Sequence, residues 1–100
     1  MTHSPEDFAA TLASDQPPAE LGSALAGLWW DAKGDWDRAH ACVDSCADHA
    51  GIRVHAYLHR KEGDAANAAY WYGQAGQAAP VILLSEEREA LLRDLLPSET

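Results

Sequence analysis

Five side chains between positions 42 and 59 can bind a borderline metal ion: Cys42, Cys46, His49, His55 and His59. Thiolate and imidazole are the donors that zinc prefers, and i, i+4 pairs on two neighbouring helices can build a four-ligand cage. Cys42, Cys46 and His49 form an i, i+4, i+7 row, and His55 and His59 stand one helical turn apart. Core residues of a helix show the same spacing. A buried cysteine behaves as a small apolar side chain, and a buried histidine is satisfied by one carbonyl or hydroxyl. No Cys-x-x-Cys pair is present. Packing is therefore the first expectation for these five residues, with no cofactor. A zinc-type metal centre is the alternative.

A second constellation is basic. Arg53, Tyr57, Arg60 and Lys61 follow i, i+4, i+7, i+8 spacing, so a helix would place them in one stripe. Three of the seven Lys and Arg residues then share one face. Such a stripe suits a carboxylate or an acidic peptide. Its plainer roles are to stabilise a helix C-terminus and to keep a face solvated. The aromatic set Trp29, Trp30, Trp36, Tyr57, Tyr70, Trp71 and Tyr72 is large for 100 residues. Adjacent aromatics cannot all point inward from one helix, so one of Trp29 and Trp30, and one or two of Tyr70, Trp71 and Tyr72, should face outward or another helix. Asp31, Asp35 and Asp37 flank Trp36 and read as caps and solvated acids. No nucleophile elbow, phosphate loop or calcium loop is found, and no enzyme activity is expected.

The elements that must carry these residues are helical. Ala, the strongest helix former, is the commonest residue, and the only β-like run is Val81-Ile82-Leu83-Leu84. The formal charge of −9 repels nucleic-acid phosphates. No apolar run approaches the roughly 20 residues that cross a bilayer, and the first residues lack a signal-peptide pattern. A cytoplasmic protein with two reduced thiols is expected, with neither nucleic acid nor membrane as partner.

Ser4-Pro5-Glu6-Asp7 predicts a short first helix ending near Ser14, and Pro17-Pro18 breaks the chain. A second helix is expected over about 18–33, a third over about 36–49 and a fourth over about 52–62, with Gly51 separating the last two. A fifth follows over about 65–77. A Leu-rich last helix, over about 86–96, needs a partner for Leu91, Leu92, Leu95 and Leu96.

At a shift of 29 residues Gly22 meets Gly51, Gly34 meets Gly63, Asp35 meets Asp64 and Ala39 meets Ala68. These are turn and close-packing positions of a helix hairpin. Gly27, Trp30, Gly34-Asp35-Trp36, Ala39 and Val43 in one unit, and Ala56, His59, Gly63-Asp64, Ala68, Tyr72, Ala75 and Pro80 in the other, resemble the tetratricopeptide repeat and its Sel1-like relatives. The likeness covers roughly residues 20–80. Two segments, 28–36 and 54–60, also look like a group of small uncharacterised microbial proteins.

The resemblance implies an all-α fold in one domain, 1–100. Two stacked helix-turn-helix units, about 20–49 and 51–78, would lie between a short N-terminal helix and a capping helix over about 85–96. It also implies that the first helix of each unit lines a concave groove. Arg53, Tyr57, Arg60 and Lys61 would then offer anion contacts to a protein or acidic peptide, with Trp29 or Trp30 as a hydrophobic wall. A small partner-binding module is the leading expectation. The zinc-type site and a homodimer closing the stack through the last helix are the alternatives.

Overall fold

The computed structural model describes residues 2–97, and among them it holds six α-helices and no strand. Helix α1 spans Pro5–Thr11, α2 Ser23–Ala32, α3 Trp36–Val43, α4 His49–Glu62, α5 Ala65–Gln74 and α6 Leu84–Leu95. The fold is all-α.

Local chemistry sets most of these limits. Ser4 Oγ accepts the Asp7 N–H at 3.1 Å, and Pro5 opens α1 where its missing donor costs nothing. Asp35 and Asp64 cap α3 and α5 in the same way, accepting from Arg38 and Asn67. Before each of these caps stands a glycine with positive φ, Gly34 at 81° and Gly63 at 89°. The following Asp N–H reaches back to Trp30 O or His59 O at 3.0 Å, closing the carbonyl end of the preceding helix. Helices α2 and α3, and α4 and α5, therefore fold back on each other through turns built on the same Gly-Asp pair.

Three expected boundaries move. Helix α2 begins at Ser23 rather than near Pro18, because Gly22 takes an extended conformation and residues 18–21 form a separate turn. Helix α3 stops at Val43, and α4 starts at His49. Asp48 is the cause: its carboxylate accepts the Gly51 N–H at 3.2 Å and opens a new helix there. Gly51 consequently lies in the first turn of α4 and separates nothing. The run Val81-Ile82-Leu83 forms no strand; it leads, exposed, into α6.

Phe8, Leu25, Leu28, Trp29, Val43, Val54 and Leu58 meet in one core, joined by Leu91, Leu92 and Leu96 of the last helix and its end. A smaller cluster, Ala56, Ala68 and Tyr72, seals α5 onto α4. Gly27 lets α2 approach closely, since a Cβ there would stand 3.2 Å from Val43 Cγ1 and 3.3 Å from Ala39 O. No helix among the described residues is long and apolar enough to cross a membrane.

Candidate functional site

Helix α4 carries His55 and His59 one turn apart, both buried. Helix α3 lies against the same face and contributes His40. The two helices are pinned by Trp36, whose indole N–H donates to Leu58 O at 2.9 Å and whose ring stacks on His40 at 4.9 Å and 10°. From the other side, α5 lays Trp71 on the His55 ring at 4.1 Å and 22°. The three imidazole centroids stand 4.9 to 5.2 Å apart.

The nitrogens matter more than the centroids. His40 Nε2 is 3.2 Å from His55 Nε2, and one ring nitrogen of each histidine lies within 4.8 Å of the other two. Glu62 Oε1 holds His59 Nδ1 at 2.6 Å, which leaves Nε2 as the free nitrogen of that ring. A carboxylate on the far nitrogen is the arrangement that fixes the tautomer of metal-binding histidines. His55 Nδ1 is buried without a hydrogen-bond partner. Burial, then the neighbouring His59 and His40, pushes the His55 pKa down to about 4, with Asp44 pulling the other way. The ring is neutral at pH 7 and keeps a lone pair to give.

This is not the ligand set expected from spacing. Because α3 ends at Val43, the row Cys42, Cys46, His49 is broken over a helix, a loop and the start of the next helix. Cys46 Sγ turns back to Cys42 O at 3.6 Å, and His49 Nε2 donates to Ala75 O at 3.0 Å. Burial raises the pKa of both thiols, with Asp48 a further cause at Cys46 and Cys46 itself at Cys42. Of the five expected ligands only His55 and His59 come together, and His40 supplies the third imidazole. His40 was legible in principle: it follows Trp36 at i+4 and adjoins Ala39, the close-contact position of the helix pair.

The basic stripe forms, but it faces α6 and Asp31 rather than an open groove. Arg53 pairs with Asp94 at 3.0 Å. Arg60 reaches Glu87 Oε1 at 2.8 Å and also donates to Ile82 O. Lys61 Nζ and the Tyr57 hydroxyl both donate to Asp31, at 2.5 and 2.8 Å, and Arg88 stands 3.5 Å from the same carboxylate. Tyr72 completes the shell of Glu87 at 2.6 Å. Asp31, read as a solvated acid, is thus a buried carboxylate with three donors around it.

Of the tryptophans expected as a groove wall, Trp29 is buried with its N–H on Thr11 Oγ1 at 3.0 Å. Trp30 is half-buried beneath the Arg38 guanidinium, 4.7 Å from its ring centre. Among the aromatics of α5, Tyr72 points inward, Trp71 is half-buried against His55 and Tyr70 is exposed.

Fold and site together define an all-α protein with a trihistidine cluster, two of its rings buried and one partly exposed, between two helix pairs. No family model, curated protein or solved structure matches the chain.

Proposed function

We propose that this chain is a metal-binding helical domain that holds a divalent transition-metal ion of zinc type at His40, His55 and His59. The observation that carries the reading is the 3.2 Å separation of His40 Nε2 and His55 Nε2. Two donors about 2.0–2.1 Å from one tetrahedral ion stand about 3.3 Å apart. A His59 ring nitrogen lies within 4.8 Å of both, so the same ion can take it as a third donor. Three imidazoles favour zinc, copper or nickel over magnesium or calcium, which take oxygen. Trp36 and Trp71 supply stacked walls that orient two of the rings. A reducing, cytoplasmic setting suits the two free thiols.

Thermal melting tests the reading. Zinc in excess, with free metal at about 100 times its dissociation constant, should stabilise the native state by about 2.7 kcal/mol. His59→Gln should remove that gain, and so should His40→Gln, which changes a half-exposed residue. Equal melting with and without metal would refute the proposal.

A protein-binding module is the second reading, supported by the helix pairs with matching Gly-Asp turns and by a row of exposed apolar side chains. Val81 is 99% exposed, and Ile82 and Leu83 follow it in the open. Such a row is a contact surface rather than a charged groove. Val81→Asp with Leu83→Asp should abolish cross-linking to a partner, or to a second copy of the chain. Unchanged cross-linking would count against it.

A further inference from the structure

Three imidazoles leave a tetrahedral ion one position short. The side chain placed to fill it is Asp44. It lies one turn beyond His40, at the C-terminal cap of α3, with its own N–H on His40 O at 2.8 Å. Its Oδ1 is 3.8 Å from His40 Nε2, the same nitrogen that faces His55.

The other nearby carboxylates are committed elsewhere. Glu62 binds the outer nitrogen of His59, and Asp64 caps α5 through the Asn67 N–H. The Asp44 side chain is 64% exposed, and among the described residues its carboxylate accepts no hydrogen bond. It can therefore turn between solvent and the cluster at little cost.

We infer that Asp44 is the fourth ligand of the His40–His55–His59 centre, a carboxylate that swings from solvent onto the ion and closes its shell. The inference rests on the metal-binding reading and adds a mechanism of exchange to it. Three buried or half-buried imidazole nitrogens hold the ion, and one mobile oxygen covers it. Nitrogen from three imidazoles and oxygen from one carboxylate leave a divalent ion with a single net positive charge. Turning Asp44 away opens the ion to water or to a competing ligand, so the centre loads and unloads through that side. A site of this design takes up and hands over metal.

Titration of the full chain with Co²⁺, read by visible absorption, separates the outcomes. The wild type should bind one equivalent with the intense bands of a four-coordinate ion. Asp44→Asn should weaken binding by about 10- to 100-fold, the scale seen when a supporting group of a metal site is lost. Asp44→Ala should also weaken it, and acetate should restore the wild-type spectrum by standing in for the lost carboxylate. Asp37→Asn, which removes an equal charge from an exposed position of the same helix, should leave affinity unchanged. The apo proteins should melt together, because the Asp44 side chain bears no packing. If the wild type binds Co²⁺ and Asp44→Asn binds it equally with the same spectrum, the inference is overturned while the trihistidine reading stands. If the wild type binds no Co²⁺, both fall.

Discussion

His55 is 2% exposed and cannot accept a proton without placing a charge between two other imidazoles and an indole. An unfolded chain meets no such penalty, and its histidine titrates near 6.5. The folded pKa is thus the lower one. Above pH 6.5 neither state is protonated at this residue and full stability is present. As pH falls from 6.5 toward about 4 the unfolded state gains the proton first, and stability drains away. The loss is on the order of 2–3 kcal/mol. Urea melts of the metal-free protein at pH 7.5 and pH 4.5 should show it, and His55→Phe should flatten the difference. A metal ion, which needs the same lone pairs, should sharpen the pH dependence.

Asp31 gives a second test at this scale. With Tyr57, Lys61 and Arg88 around it, Asp31→Ala strips the partner from two cations and a buried hydroxyl. The expected cost is about 3–5 kcal/mol, against about 1 kcal/mol for Tyr57→Phe, which removes one hydrogen bond. Denaturant midpoints distinguish the two. Comparable small losses would mean that the carboxylate is solvated after all.

At the scale of the elements the fold rests on two turns that repeat the same solution. Gly34 and Gly63 hold a left-handed conformation that a Cβ disfavours, although open space surrounds both. Gly34→Ala and Gly63→Ala should each cost about 1–2 kcal/mol through backbone strain alone. Gly22→Ala, at negative φ and with no neighbour within reach, should be close to neutral. These turns were readable because Gly followed by Asp is a local signal: the glycine ends one helix and the aspartate caps the next.

The proposed metal ligands were readable only in part, for a reason of the same kind. Spacing along the chain identifies a shared helical face only where the helix is unbroken. Asp48 opens a new helix three residues before Gly51, so the apparent row of Cys42, Cys46 and His49 spans a break. His55 and His59 lie within one helix and stay together. His40 reaches them through tertiary packing, where Trp36 locks α3 to Leu58 O, and sequence spacing does not encode that distance. The stripe Arg53, Tyr57, Arg60 and Lys61 was likewise correct as a stripe. Which surface it meets depends on where α6 docks, a long-range choice made by Leu91, Leu92 and Leu96 entering the core.

For the whole molecule, α6 belongs to the core and does not hang from it as a separate cap. It buries leucines against α2 and α4 and answers the basic stripe with Glu87 and Asp94. Leu91→Ala should therefore cost about 2–5 kcal/mol, and far- and near-ultraviolet circular dichroism should still report one coincident transition. An early, separate loss of helix would show α6 to be an independent unit. With α6 in place the stripe is met by Glu87, Asp94 and Asp31, and the imidazole cluster lies on the opposite side of α4, where α3 and α4 bring three histidines together.

The most direct test is zinc K-edge X-ray absorption of the protein loaded with one equivalent of metal. The expected spectrum shows nitrogen and oxygen neighbours at about 2.0–2.1 Å with imidazole outer-shell scattering, and no sulfur. A sulfur shell at about 2.3 Å would return the site to Cys42 and Cys46 and contradict the assignment. Failure to retain stoichiometric zinc would contradict the metal centre itself.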